Sequence, residues 1–300
     1  MIKGLTRALR LPFVTASILP FTFGSLIERE YFNVLGFILG LIAAISVHLS
    51  ANLINDYADS KSGADWQDRK FYKFFGGSKL IQEKVFSEKF YLQLGIALAF
   101  LSLLSVVLLA LVLRSPSVII YYLVIIFLGW SYSAKPLQFS YRRLGEPVLF
   151  VLFGPALVMG GYFIQTGVFP DLRSFMLSLP FGFLVTLILF VNEIPDFAQD
   201  QKVSKFNWVS LTGSKKAFVT YYMLAFAALL AAFLNIWLGY LSVRVLSCLV
   251  FTVLIFKTGN ILKRDFNHKT KLIQSSKLTI ALQTLFGIML ILDLLICKKL

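Results

Sequence analysis

The sequence predicts an all-α membrane protein, a polytopic helical bundle of about nine transmembrane helices around a central cavity, forming one domain over residues 1–300. The chain is 58% hydrophobic and only 15% charged, and its mean hydropathy is +0.78. This composition excludes both a soluble globular domain and a disordered chain. The apolar runs are continuous and do not alternate with polar residues, which argues against a β-barrel.

Each span is predicted from a run of roughly 20 mostly apolar residues, the length that crosses a bilayer as a helix. The runs cover residues 11–27, 34–54, 90–113, 118–132, 147–165, 175–191, 217–237, 241–256 and 278–296. A short turn at Leu238 and Gly239 separates the seventh and eighth. Arg7 and Arg10 precede the first run, as in a signal peptide, but no clear small-residue cleavage pattern follows, so we expect this run to remain as a span.

The distribution of basic residues predicts the topology. With the N-terminus in the cytoplasm, 23 of the 29 Lys and Arg residues fall on the inner side, as the positive-inside rule requires. The net charge of +14 is thereby explained by topology and by contact with anionic membrane lipid, without a nucleic-acid partner. We expect an integral protein of a bacterial cytoplasmic membrane, with the active-site loops on the cytoplasmic side.

Three side chains near or within the spans are expected to be structural. Cys248 and Cys297 lie in or at the end of apolar runs, where a small packing role is more common than a disulfide or a metal site. His48 lies one helical turn before Asn52. We interpret it as an interior histidine with a hydrogen-bond partner, in preference to a catalytic group.

A cluster of acids and amides ends the second apolar run. Asn52, Asn55, Asp56 and Asp59 are spaced i, i+3, i+4 and i+7, which places them on one face of a helix. The whole chain contains only 15 Asp and Glu, so such a concentration is not explained by solubility.

A second cluster ends the sixth run, on the same side of the membrane. Asn192, Asp196 and Asp200 are spaced i, i+4 and i+8, which again places them on one face of a helix. Two carboxylate faces repel one another unless a cation lies between them. Mg²⁺ prefers oxygen ligands and commonly bridges carboxylates to substrate phosphates. We therefore predict a Mg²⁺ site made by Asp56, Asp59, Asp196 and Asp200; the structural alternative is that these residues only end helices at the headgroups.

Polar residues around the two clusters are candidates for binding and catalysis. Lys205 and Tyr132 are candidate catalytic residues, and the backbone amides of residues 76–79 (Gly-Gly-Ser-Lys) could cradle a phosphate. Basic groups could hold diphosphate oxygens, although most are expected only to set topology. The candidate substrate-binding residues are Asn52, Asn55, Asn192, Lys61, Asp65, Arg69, Lys135 and Arg142.

The motifs resemble those of the UbiA-type intramembrane prenyltransferases, which have nine membrane helices, Asn-Asp-x-x-Asp after the second helix and Asp-x-x-x-Asp after the sixth. Asn55, Asp56 and Asp59 match the first motif, and Asp196 and Asp200 match the second. The resemblance implies Mg²⁺-dependent transfer of an isoprenyl chain from a prenyl diphosphate to an aromatic acceptor, with release of diphosphate.

The first motif also resembles one branch of that family. Asp65 follows Asp59 by six residues, with Lys61 and Gly63 between them, which is similar to the 1,4-dihydroxy-2-naphthoate prenyltransferases. That branch implies a menaquinone-type product, whereas the 4-hydroxybenzoate branch usually spaces this Asp more closely.

Three positions depart from the family pattern. The usual Gly-Lys-x-Thr after the second motif reads Ser-Lys-Phe-Asn at residues 204–207, Lys135 replaces the first of two prolines, and Ser140 stands where Lys or Arg is common. These departures leave the identity of the acceptor open, including 4-hydroxybenzoate.

Two other functions use the same residues. A cation-coupled transporter could employ the carboxylates, but transport sites usually lie near the membrane midplane at broken helices. Here the acids lie at span ends and run into Lys-rich loops, which favours phosphate chemistry. A catalytically silent quinone- or lipid-binding relative is the third possibility.

Overall fold

The computed structural model describes residues 2–296, and this part of the chain is helical, with an isolated bridge between Arg142 and Phe206 as its only β-type pairing. The all-α prediction is confirmed. The α-helices in chain order are α1 Ile2–Ala8, α2 Thr15–Leu26, α3 Val34–Ser62, α4 Glu88–Leu113, α5 Ser117–Ser131, α6 Gly145–Phe153, α7 Pro155–Thr166, α8 Leu172–Glu193, α9 Phe197–Lys202, α10 Val209–Thr212, α11 Ala217–Trp237, α12 Thr252–Asp265 and α13 Lys269–Ile296.

Seven helical segments of the described chain are long and apolar enough to cross a membrane. They are Val34–Ser62, Glu88–Leu113, Gly145–Thr166, Leu172–Glu193, Ser214–Trp237, Val243–Asp265 and Lys269–Ile296. The first and fourth predicted runs correspond to shorter apolar helices, Leu11–Leu26 and Ser117–Ser131. Length and composition therefore support seven of the nine predicted spans.

The fifth predicted run is divided between α6 and α7 at Gly154. At this position α8 approaches so closely that a Cβ atom on Gly154 would lie 2.8 Å from the Cα of Gly182. The glycine thus permits the close approach, and Phe153 becomes the last residue of α6.

The second acidic cluster does not lie on one continuous helix, contrary to our prediction. Helix α8 ends at Glu193, and α9 begins at Phe197 after a turn that contains Pro195. Proline lacks a backbone N–H and cannot continue the helical hydrogen bonds, which explains why the helix breaks here. Asp196 therefore stands at the start of α9, and Asp200 lies within it.

The interior is built around α8, α11 and α13, whose large side chains Phe181, Phe190, Tyr221 and Phe286 are fully buried. Helix α3 packs along α4, where Ser50 donates to the carbonyl of Gly95 at 2.7 Å. These contacts fix the ends of α3 and α8, which carry the two acidic clusters.

The expectations for the interior side chains agree with the structure where it describes them. Cys248 is a buried free thiol within the main apolar core, whereas Cys297 lies outside the described residues. His48 is buried, and its Nδ1 lies 2.7 Å from the hydroxyl of Ser17. It is an interior histidine with a partner, as predicted.

Candidate active site

A cavity of about 210 Å³ lies between the ends of α3 and α8 and the loop that follows α3. Its wall contains six carboxylates, contributed by Asp59, Asp65, Asp68, Glu193, Asp196 and Asp200. It contains four basic side chains, contributed by Arg10, Lys70, Lys79 and Lys205. Because carboxylates outnumber basic groups, the polar end of the cavity is suited to additional positive charge.

The first acidic cluster lies on α3 as predicted, and its amides and acids are held by hydrogen bonds. The Asn55 amide donates to the hydroxyl of Ser133 at 2.8 Å. Asp59 Oδ1 accepts from the Tyr141 hydroxyl at 2.8 Å. Asn52, Asn55 and Asp59 all line the cavity, so one face of α3 forms part of its wall.

Asp56 is buried directly behind this wall and organises its surroundings. It forms an ion pair with Arg10, and its Oδ2 accepts from the backbone N–H of Ser78 at 3.1 Å. Burial alone would lower the pKa of Arg10, but the adjacent carboxylate of Asp56 outweighs this and raises it. Asp56 therefore joins α3 to the segment before α2 and to the Gly-Gly-Ser-Lys loop.

The Gly-Gly-Ser-Lys loop wraps around Asp65. Gly77 adopts φ +76°, and a Cβ atom there would lie 2.6 Å from Asp65 Oδ2. The buried Nζ of Lys79 lies 2.9 Å from Asp65 Oδ1. Burial raises the pKa of Asp65 to about 7 despite the opposing effect of Lys79. The loop thus places a glycine backbone and a buried cation against a carboxylate that the sequence predicted as a substrate contact.

Lys205 lies between the two acidic clusters. Its Nζ is 3.1 Å from Asp59 Oδ2 and 3.9 Å from Asp200 Oδ1. Burial is also the main cause that raises the pKa of Asp200 to about 7, and Lys205 opposes it. Burial lowers the pKa of Lys205, but the nearby carboxylates, Asp200 foremost, raise it well above its usual range.

Asp196 is paired with a lysine from the other end of the chain. Lys269 Nζ, at the start of α13, lies 3.5 Å from Asp196 Oδ1 and 2.9 Å from Asp68 Oδ2. Burial raises the pKa of Asp196, against the effect of Lys269. The cavity wall is therefore closed by contacts between distant parts of the chain.

The structure brings most of the predicted site residues to this one cavity. Asp56 is the one candidate metal ligand that does not line it. The predicted residues that line it are Asn52, Asn55, Asp59, Asp65, Tyr132, Asn192, Asp196, Asp200 and Lys205.

Four predicted substrate-binding residues lie outside the cavity wall. Lys61 is exposed and pairs with Glu88 at 2.6 Å. Arg69 stacks over the ring of Trp66 at 5.1 Å, and Arg142 donates to the carbonyl of Pro136 at 3.0 Å. Lys135 is exposed.

Sequence reasoning missed several residues of the site. The sequence indicates Arg10 only as a charge preceding the first span, and Lys269 only as a charge of the inner side. Gln199 and Asp68 were not singled out, yet both line the cavity. A basic residue directly before an apolar run is ordinary in membrane proteins, so the sequence carried no signal that distinguished Arg10.

The donor set of the cavity fits Mg²⁺. Within residues 2–296, no group of three or more His, Cys, Asp or Glu side chains is arranged as a ready-made metal cage. Mg²⁺, however, is usually held by one or two carboxylates together with waters and substrate phosphates. The buried oxygens Asn192 Oδ1 and Gln199 Oε1 have no hydrogen-bond partner in the described chain. Both residues line the cavity beside the carboxylates, so hard oxygen donors are available.

The far end of the cavity is apolar. Side chains of α6 and α8 form this part of the wall, namely Leu149, Leu152, Phe153, Val185, Ile188 and Leu189. A ligand that fits the whole cavity therefore has a charged head and an apolar tail.

Comparison with known proteins agrees with this architecture. Residues 17–280 match the UbiA prenyltransferase family, and the chain belongs to this family. It is therefore an integral membrane enzyme of the prenyltransferase class.

Two curated relatives are similar over most of the chain. A 2-carboxy-1,4-naphthoquinone phytyltransferase from Arabidopsis thaliana is 26% identical, and the alignment covers 99% of this chain and 78% of the relative. A 1,4-dihydroxy-2-naphthoate octaprenyltransferase from Bacillus subtilis is 28% identical, over 68% of this chain and 64% of the relative.

Solved structures share the fold. A UbiA homologue from Aeropyrum pernix superposes with a TM-score of 0.73 at 18% identity, covering 93% of this chain and 97% of the other. A UbiA homologue from Archaeoglobus fulgidus, bound to GPP and Mg²⁺, superposes with a TM-score of 0.58 at 15% identity, covering 96% and 99%.

Proposed function

We propose that this protein transfers an isoprenyl chain from a prenyl diphosphate to an aromatic acceptor in a Mg²⁺-dependent reaction that releases diphosphate. The observation that carries the proposal is a single cavity with a charged end and an apolar end. Carboxylates of both acidic clusters and buried cations line the first, and side chains of α6 and α8 line the second. Membership of a prenyltransferase family favours this function over a cation-coupled transporter.

The charged end is suited to the diphosphate. Asp59, Asp196 and Asp200 would hold Mg²⁺, and Asp56 would support them through Arg10. When bound, Mg²⁺ supplies positive charge that neutralises the diphosphate and weakens the allylic C–O bond. Buried Lys79 and partly buried Lys205 lie at this end, where they can pair with phosphate oxygens and stabilise the leaving group.

The apolar end is suited to the transfer step. The C–O bond breaks, its electron pair leaves with the diphosphate, and the allylic carbon carries the positive charge. A ring carbon of the acceptor then forms the new C–C bond, and the ring becomes aromatic again by losing a proton or, at a carboxylated carbon, carbon dioxide. Apolar walls exclude the water that would otherwise capture the cation, and the Tyr132 ring lies in the cavity wall, where an aromatic face can stabilise positive charge.

The acceptor that we propose is 1,4-dihydroxy-2-naphthoate. The spacing of Asp59 and Asp65 and the names of the two relatives support this choice. In that reaction the acceptor also loses its carboxyl group as carbon dioxide, giving a menaquinone-type precursor. We also propose that the cavity faces the cytoplasm, because the loops around it carry most of the Lys and Arg residues.

A direct assay tests the proposal. The purified protein is incubated with a labelled prenyl diphosphate and a panel of acceptors that includes 1,4-dihydroxy-2-naphthoate and 4-hydroxybenzoate, and products are identified by mass. We expect a prenylated, decarboxylated naphthoate that requires Mg²⁺ and disappears with chelator. Transfer to 4-hydroxybenzoate alone would overturn the acceptor, and no transfer to any acceptor would overturn the function.

A further inference from the structure

A second, smaller cavity of about 70 Å³ lies within the bundle and is not part of the site described above. Its wall is apolar and contains no charged side chain. Ala44 and Val47 of α3, Ile125 of α5 and Leu157 of α7 belong to it. An apolar space of this kind favours a hydrocarbon group over water.

The second cavity continues the first in depth. Ala44 precedes the active-site residue His48 by four positions on α3, and Ile125 precedes Gly129 by four positions on α5. Residues four apart share one face of a helix and are displaced by about 6 Å along its axis. On both helices the residues that line the second cavity therefore lie about one turn nearer the N-terminal end than the residues that line the active-site cavity.

His48 and Phe153 line the active-site cavity but not the second cavity, whose wall contains their near neighbours Val47 and Ala156. Their ring centroids are 5.0 Å apart at an angle of 80°, and both rings line the active-site cavity. The hydroxyl of Ser17 lies 2.7 Å from His48 Nδ1 and orients the imidazole. Phe153 ends α6 immediately before the close approach of Gly154 to α8. The two rings are therefore fixed from opposite sides.

We propose that the His48–Phe153 pair is the wall that limits the length of the isoprenyl tail, and that the apolar cavity beyond it receives the end of a longer tail when the wall is reduced. This inference rests on the proposed function and names the part of the site that selects the donor. The His48–Phe153 pair belongs to the wall of the active-site cavity, and the second cavity has an apolar wall that can accept the end of an isoprenyl tail.

Competition between donors tests the wall. Wild type, His48→Ala and Phe153→Ala receive an equimolar mixture of geranyl, farnesyl, geranylgeranyl and longer polyprenyl diphosphates, and product ratios are measured by mass at low conversion. We expect each alanine variant to raise the ratio of longer to shorter products by about tenfold, the low end of what one methylene is worth in an apolar pocket.

Two further variants separate volume from other effects. His48→Phe keeps a ring and loses the hydrogen bond to Ser17, so we expect the wild-type ratio. Ala44→Phe fills the second cavity, and in the Phe153→Ala background it should restore the wild-type ratio. An unchanged ratio in both alanine variants, with melting temperatures near that of wild type, would overturn the proposal.

A binding measurement keeps this test independent of transfer. Non-reactive thiodiphosphate analogues of the same chain lengths are added, and the shift in melting temperature is recorded. We expect the longer analogues to give the larger gain in shift in the alanine variants. If wild type transfers no donor but these shifts appear, the proposed reaction is wrong and the role of the His48–Phe153 pair in limiting tail length is supported. If transfer occurs but neither the product ratios nor the melting-temperature shifts change in the alanine variants, only the proposal about the His48–Phe153 pair is wrong.

Discussion

Lys205 Nζ lies 3.1 Å from Asp59 Oδ2, although 146 residues separate the two in sequence. The same lysine also approaches Asp200, so one cation is shared by the acidic cluster of α3 and the acidic cluster of α9. Both clusters contribute carboxylates to the same cavity, and the shared lysine lies between them.

Replacement of Lys205 by Met should destabilise the protein in a way that Mg²⁺ partly reverses. Breaking a buried ion pair by removing one partner typically costs about 3–5 kcal/mol, because the remaining carboxylates stay buried. Melting temperature with and without Mg²⁺ measures the effect, and we expect a larger gain from Mg²⁺ in the variant than in wild type. Lys61→Met removes a surface pair with Glu88 and should change little. Equal gains in Lys205→Met and wild type would contradict Mg²⁺ binding at these carboxylates.

Loss of a carboxylate from either cluster should abolish transfer. We expect Asp56→Ala and Asp196→Ala, and the milder Asp59→Asn, each to lower kcat/KM by about 100-fold or more, in the range that removal of one charge-stabilising group costs. Product formation at saturating Mg²⁺ is the measurement. Asp265→Asn, which removes a carboxylate that pairs with Lys271 outside the cavity, is the control. Full activity in Asp59→Asn or Asp196→Ala would rule out the proposed metal site, and full activity in Asp56→Ala would rule out its support through Arg10.

Arg10 should matter far more than its neighbour Arg7. Arg10 lines the cavity and pairs with buried Asp56, whereas Arg7 pairs with Glu83 at the surface. We expect Arg10→Gln to weaken binding of a prenyl diphosphate analogue by about tenfold or more, because a charge-assisted pair is lost. Arg7→Gln should bind as wild type does. Isothermal titration in detergent compares the two, and equal affinities would show that Arg10 pairs with Asp56 without contributing to donor binding.

The glycine at position 77 should be intolerant of a side chain for two separable reasons. Gly77 and Gly63 both have positive φ, but only at Gly77 would a Cβ meet Asp65; at Gly63 it meets nothing within 4 Å. The backbone conformation alone costs about 1–2 kcal/mol. Gly63→Ala should show this loss in the free energy of unfolding, and Gly77→Ala should lose more stability and also activity. Similar losses in both variants would mean that the loop moves away from Asp65 at no cost.

The sequence determined the helical architecture because long apolar runs have few alternatives in a membrane. Both helix breaks have a proline that the sequence shows: Pro155 is the first residue of α7, and Pro195 lies between α8 and α9. The predictions of continuous helices through these two positions were therefore wrong on local grounds. What the sequence could not show is how closely α8 approaches Gly154.

For the site, sequence identified the residues of α3 and α9 because their carboxylates are rare and regularly spaced. It did not identify Arg10 or Lys269, whose partners Asp56 and Asp196 are distant in sequence and belong to other helices. Basic residues are numerous on the inner side, so only the folded structure separates the few that pair with the acidic clusters from the rest.

Helix α3 contains 29 residues and is therefore about 43 Å long at 1.5 Å per residue, whereas the hydrocarbon layer is about 30 Å thick. In the orientation that we propose, the surplus would place the last turns of α3, with Asn55 and Asp59, in the headgroup region. The reaction at the charged end of the cavity would then take place at the boundary between water and the hydrocarbon layer. A water-borne aromatic acid and a lipid-borne donor could meet there without either one leaving the phase in which it dissolves.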